Sequence, residues 1–303
     1  MSVQPYGVFS PTITAFGDDG SLYEEGTRQY VRYLLENGVH GLAPMGSAGE
    51  FFAMTDEERM QVTEWILDEV GGKVPVFAGA GHYSTATSIK LGRHAKDHGA
   101  DGLLIITPYF LRPPMNAVLD HFRAIHQAVQ LPVMMYNVPV LTGIDVSPDN
   151  IKRLCDDGVL QGVKWSHIDI DKIQQTRFLC GPDFPNFAGV DMLVFAALAI
   201  GAHGMICDLP MLVPRLARRL FDLIAEQQDL NAARDLWMKL QPLIRFEYRA
   251  LHTNEAEPHW LAVCRETAEL RGIPVGPPRA PLKRLRAGHH EELREILTEL
   301  GEL

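Results

Sequence analysis

The chain has 303 residues, 46% of them hydrophobic and 22% charged; that length suits one large barrel with an appendage, and the composition excludes a disordered chain. With 38 acidic and 28 basic residues the net charge is −10, which argues against a nucleic-acid partner, since such proteins gather Lys and Arg on one face. Four scattered cysteines (Cys155, Cys180, Cys207, Cys264) without a C-x-x-C pair indicate neither a zinc cage nor a disulfide framework.

The opening "MSVQPYGVFSPTIT" has no basic segment leading into an apolar run, so no secretory leader is expected. It supplies instead the first candidate strand, "GVFSPTITAF". Further candidate strands follow as "GLAPM", "VPVFAGA", "GLLIITP", "PVMMYNVP", "LQGVKW", "NFAGV" and "GMICD". Helix-like segments alternate with them at 23–36, 55–70, 84–97, 115–128, 147–155, 169–179, 191–199 and 211–226. Thr55 with Glu58 three residues on has capping-box spacing, and Ser147-Pro148 is an N-cap followed by a first-turn proline. The strands are continuous apolar runs, as required when both faces are covered. Eight strand–helix units in about 225 residues predict a (β/α)8 TIM barrel over residues 1–225, with a doubly wound sheet as the competitor. Beyond residue 226 the strand signal stops, and residues 226–303 read as a helical C-terminal region. The basic cluster Lys283-Arg284-Leu285-Arg286 reads there as a solvated helix face or loop. Apolar runs such as "MLVFAALAIGAHGMI" are broken by Gly and His and are too short to span a bilayer. A soluble, reduced, cytoplasmic protein with no membrane partner is expected.

In a barrel of this kind, chemistry gathers at the C-terminal ends of the strands. Lys164, at the end of "GVLQGVKW", is a charge placed in an apolar strand. Burial penalises its ammonium and favours a neutral amine able to attack a carbonyl; position alone allows equally a lysine snorkelling to solvent or paired with Asp169 or Asp171. Tyr136 in "MMYNVP" is a phenol able to relay protons to a substrate oxygen, or a core tyrosine with one hydroxyl partner. "GSAGE", residues 46–50, is a small-residue turn whose N–H groups can face an anion, with Ser47 adding a hydroxyl. It is neither a Walker loop nor a nucleophile elbow, and its bland reading is a tight turn. His167, Asp169 and Asp171 cluster after strand six, yet Ser166 and Asp169 fit a helix start. Other histidines, such as His121, His126 and His203, show no H-x-x-x-H pairing with a carboxylate, so no metal is expected.

Taken together these pieces resemble the dihydrodipicolinate synthase and N-acetylneuraminate lyase family over nearly the whole chain. The matching residues are "GSAGE", "YNVP" followed by "TG", "GVK", "AGVD", "GAHGMI" and "GIPVGPPRAPL". The resemblance implies a TIM barrel that assembles as a homotetramer (or dimer). It also implies a covalent imine between Lys164 and a 2-oxo acid, typically pyruvate, with no metal or organic cofactor. By match, Tyr136 shuttles protons and Ser47 hydrogen-bonds it. The Ser47 and Ala48 amides hold the substrate carboxylate, and the carbonyls of Gly189 and Ile206 line the keto-acid pocket.

Departures from the family pattern shape the expected substrate. Leu141 stands where the synthase has an arginine for the aspartate-semialdehyde carboxylate, so the synthase reaction is disfavoured. Met192 stands where the sialic-acid branch has a glutamate, while Asp191 is kept and Asp208 can contact a polar group of the substrate. Asp191, Asp208, Leu141 and Phe110 thus join the candidate substrate-binding residues. The expectation is an aldolase or lyase with pyruvate as keto-acid component, or a 2-keto-3-deoxy sugar acid dehydratase using the same lysine. A reading of another class is a ligand-binding or regulatory barrel that lost turnover. It is motivated by Ala48 in place of threonine and Phe110 in place of a tyrosine that one subunit lends its neighbour.

Overall fold

The computed structural model describes residues 4–252 and 257–303; the first three residues of the segment read as lacking a leader lie outside it. Eight parallel strands form the centre: β1 Gly7–Pro11, β2 Gly41–Ala43, β3 Phe77–Gly79, β4 Gly102–Ile106, β5 Val133–Asn137, β6 Gly162–Trp165, β7 Asn186–Ala188 and β8 Gly204–Met205. Their spatial order is β2-β1-β8-β7-β6-β5-β4-β3, and a parallel bridge from Leu42 to Val76 joins the two ends. The result is a (β/α)8 TIM barrel, with the helices following the strands as an outer ring. Local chemistry starts those helices where expected. Thr55 and Glu58 close a capping box on helix Asp56–Val70, and the Ser147 side chain caps helix Pro148–Asp156, whose first residue is proline.

The barrel floor explains why several strands begin at glycine. Phe9, Phe77 and Phe187 point inward and meet edge-on, with Phe9 5.9 Å from Phe77 and 5.6 Å from Phe187 between ring centroids. Each ring lies over the first glycine of an adjacent strand. A Cβ on Gly41 would come 2.3 Å from Phe9, on Gly102 2.4 Å from Phe77, and on Gly204 2.7 Å from Phe187. Close-packed interiors leave no slack for that. Above this floor, Ala43, Leu104, Met134, Tyr136 and Ile206 complete an inner cluster distinct from the larger one between strands and helices.

After β8 every regular element among the described residues is helical. Helices Pro214–Phe221, Leu230–Glu247, Trp260–Leu270 and Ala287–Glu299 pack outside the barrel, with Leu240, Leu243, Phe246, Val263 and Leu293 buried in the common outer core. No helix of the described residues is long and apolar enough to cross a membrane.

Candidate active site at the C-terminal mouth of the barrel

The period-two alternation of β6 settles the placement of its lysine. Val163 and Trp165 face the helices, where the Trp165 indole N–H donates to Asn186 Oδ1 at 3.0 Å. Lys164 therefore points into the barrel, in register with Tyr136 on β5 and Phe187 on β7. It is 7% exposed, and its Nζ lies 3.9 Å from the centroid of the Tyr136 ring, an arrangement that favours a cation over an aromatic face. Gly189 makes room for it: a Cβ there would meet Ser166 Oγ at 2.3 Å and Lys164 Cε at 3.1 Å. Among the described residues no carboxylate forms a salt bridge with Lys164, so neither the snorkelling nor the paired reading fits.

The turn 46–50 is held from outside the barrel. Met45, just before it, and Glu50, its last residue, both adopt left-handed backbone (φ 57 and 56), a conformation uncommon for non-glycine residues. The constraint at Glu50 is Arg265 of the C-terminal region. Its Nε and one terminal nitrogen donate to Glu50 Oε1 at 2.9 and 2.5 Å, and it also donates to the carbonyls of Thr14, Val275 and Gly276. The Arg279 backbone N–H donates to Glu50 Oε2 at 3.0 Å. Both charges are buried, Glu50 at 0% and Arg265 at 2% exposure. The helical region thus positions the loop carrying Ser47 and Ala48.

A cavity of about 410 Å³ opens at the C-terminal ends of the strands. Of the residues singled out from sequence, Ser47, Ala48, Tyr136, Leu141, Lys164, Gly189, Ile206 and Asp208 line it. Three details differ from expectation. No hydrogen bond joins Ser47 Oγ to Tyr136 Oη among the described residues. The Gly189 carbonyl, expected to face the keto acid, accepts from Ser166 Oγ at 2.9 Å. Asp191 does not line the cavity: it is fully buried and accepts from the Asp208 and Leu209 N–H groups and from Tyr248 Oη. It holds the turn after β8, because those amides leave the sheet and need an acceptor.

Phe110 is also absent from the cavity wall. It is 90% exposed with φ 76, projecting from the loop after β4, while its neighbour Tyr109 packs edge-on against Phe51 with 6.0 Å between centroids. His167 does line the cavity; its Nδ1 accepts from the Asp169 N–H, and Asp169 Oδ1 accepts from the Asp171 N–H, just before helix Asp171–Cys180. That network matches a helix entry.

Several site residues were missed from sequence. Tyr248 and Trp260 line the cavity from the C-terminal helices, and Glu247 lies behind it, 1% exposed. Burial, and then the neighbouring Asp191, push the Asp208 carboxyl up to about 7; burial with Asp191 and Asp208 pushes Glu247 far higher than an ordinary glutamate. Arg112 lies outside the cavity lining, its Nε 2.3 Å from where a Cβ on Gly143, just after the exposed segment Val140–Leu141, would sit. On the outer helices, His94 and His98 do have H-x-x-x-H spacing, and Glu64 Oε1 lies 3.2 Å from His94 Nε2 and 3.8 Å from His98 Nε2. The expectation that no such histidine pair meets a carboxylate is corrected.

Comparison with known proteins gives these residues a context. The family model described as the dihydrodipicolinate synthetase family matches residues 4–300. A 4-hydroxy-tetrahydrodipicolinate synthase of Methanopyrus kandleri is 38% identical over 99% of this chain and 98% of its own. That of Methanothrix thermoacetophila is 32% identical over 98% and 97%. Among solved structures, a prophage protein of the dihydrodipicolinic acid synthase family from Escherichia coli K12, in complex with pyruvate, superposes with a TM-score of 0.91. It is 28% identical and covers 99% of this chain and 100% of that one. The two synthases overturn the expectation that disfavoured the synthase in favour of a pyruvate aldolase or lyase, with a 2-keto-3-deoxy sugar acid dehydratase and a lapsed binding barrel as alternatives. Leu141 removes one guanidinium from one position, which does not outweigh similarity over the full length of the chain. On sequence and fold alike, this chain is a lyase belonging to the dihydrodipicolinate synthetase family.

Proposed function

We propose that the protein is a 4-hydroxy-tetrahydrodipicolinate synthase, joining pyruvate to aspartate semialdehyde through an imine on Lys164. The observation that carries the reading is Lys164 itself, pointing into the barrel beneath the cavity with Nζ over the Tyr136 ring. Lys164 attacks the 2-oxo carbon of pyruvate; water leaves, and the protonated imine draws electrons from C3. Tyr136 relays protons during imine formation. The Ser47 and Ala48 amides would receive the pyruvate carboxylate, and the Ile206 carbonyl would face the keto acid. C3 then adds to the aldehyde, whose oxygen becomes the 4-hydroxyl, and the substrate amine displaces Lys164 to close the ring. Neither a metal nor an organic cofactor is needed for these steps.

Arg112, at the same face of the barrel as Lys164, is our candidate for the aldehyde carboxylate in place of an arginine at position 141. Exposed Phe110, Leu111, Val140, Leu141 and Ile168 support the expected homotetramer or dimer, because a cluster of large apolar side chains at one rim favours a protein contact. The test is direct: mixing pyruvate with aspartate semialdehyde should yield a product with the mass of both less one water. Pyruvate consumed without that product would remove the synthase reading.

A further inference from the structure

The proposed relay is short of groups, since Phe110 has no hydroxyl and points away and Ser47 does not bond Tyr136. The wall opposite holds a carboxyl pair that the reading above does not use. Asp208, just past β8, lines the cavity with Lys164 and is partly exposed there. Behind it lies Glu247, buried to 1% exposure. One oxygen of each, together with Cys264 Sγ, lie within 4.8 Å of one another. Neither Glu247 oxygen accepts a hydrogen bond from an N–H or O–H group. A buried carboxylate without donors is costly, and two facing carboxyls bond only when one holds a proton. Asp191 cannot supply it, being filled by two backbone amides and Tyr248 Oη.

We propose that Asp208 and Glu247 form a one-proton carboxyl pair in which Asp208 is the acid–base group for C3 of the Lys164-bound keto acid. The proposal rests on the imine reading. Asp208 as carboxylate takes a proton from C3; the C–H electron pair becomes the C2=C3 bond, and the C=N pair moves to nitrogen. C3 of the enamine then attacks the aldehyde carbon, the carbonyl π pair goes to oxygen, and Asp208 returns the proton there. One proton leaves and one arrives, so the pair ends as it began. Glu247 holds the shared proton meanwhile, with no access to the cavity except through Asp208.

The groups facing the pair are Lys164 of β6, Asp191 and Cys207 at the ends of β7 and β8, Tyr248 and Cys264 of the C-terminal helices, and Tyr30 of helix Glu24–Glu36. Burial and Asp191 raise Asp208 to about 7 against the opposing hydrogen bond from Glu247 and the weaker pull of Lys164, so its carboxylate forms as pH rises through about 7.

The experiment follows exchange of the pyruvate methyl protons in D₂O by NMR, without aldehyde, from pH 5.5 to 8.5. Borohydride trapping on Lys164 is measured in parallel. For the wild type, exchange should climb with pH through about 7. Asp208→Asn should keep the trapped adduct but exchange at least 100-fold slower, with that limb lost. Glu247→Leu should keep the adduct but slow exchange at pH 7, with the limb moved to higher pH, because the protonated Glu247 that donates to the Asp208 carboxylate is gone. A purely structural role would not move the limb in that direction. An Asp208→Asn protein that traps pyruvate and exchanges at the wild-type rate overturns the proposal alone. Absence of the adduct in the wild type overturns the imine reading and this proposal with it. Exchange abolished by a chelator and restored by zinc would assign the pair to a cation and refute the proton pair.

Discussion

Replacing Arg265 by methionine tests whether the helical region positions the catalytic turn. The change removes both guanidinium bonds to Glu50 Oε1 and leaves only the Arg279 N–H on Oε2. It also strips a donor from the carbonyls of Thr14, Val275 and Gly276. Glu50 is fully buried and Arg265 nearly so, so solvent screening offers little relief. Stranding one partner of such a buried pair costs about 3–5 kcal/mol. For a chain of this size that corresponds to a fall in Tm of roughly 5–8 °C. Because Glu50 closes the turn bearing Ser47 and Ala48, KM for pyruvate should rise as well. Adding Glu50→Gln to Arg265→Met should recover part of the lost stability, since a neutral amide is cheaper to bury than a lone carboxylate. Thermal unfolding of the two single variants and the double variant gives the coupling directly. A Tm for Arg265→Met within about 2 °C of wild type would refute the reasoning.

Gly102→Ala should destabilise by about 1–3 kcal/mol through overpacking, since its Cβ would stand 2.4 Å from the Phe77 ring; Phe77→Leu in the same protein should relieve it, and additive losses in thermal unfolding would contradict that packing. Tyr136→Phe keeps the ring beside Lys164 Nζ and should still trap pyruvate, while turnover falls roughly 10²–10⁴-fold; full activity would end the relay assignment. Arg112→Ala should raise KM for the aldehyde about tenfold, the loss of about 1.4 kcal/mol of binding, without changing the pyruvate adduct. An unchanged KM would take Arg112 out of substrate recognition.

The barrel was legible because its strands are apolar on both faces, and their N-terminal glycines and capped helices mark the boundaries. The strand ends were read too long. "GMICD" contributes only Gly204–Met205, because Asp191 draws the amides of Asp208 and Leu209 away from the ladder. At the site, period two on β6 makes Lys164 and Val163 face opposite sides, so one apolar strand can carry an inward lysine. What stayed hidden came from afar in sequence. Nothing near "GSAGE" announces Arg265, and nothing near "CD" announces Glu247, Tyr248 or Trp260, which arrive from the C-terminal helical region. Asp191 was misassigned because an aspartate at a strand end serves equally as a ligand contact and as a cap for backbone amides.

Borohydride trapping of the wild-type protein with pyruvate, followed by peptide mass spectrometry, tests the central claim most directly. The account predicts one reduced pyruvyl adduct, on Lys164, lost in Lys164→Ala and discharged when aspartate semialdehyde is added before the reductant. No adduct, or an adduct on another lysine that survives Lys164→Ala, would contradict it.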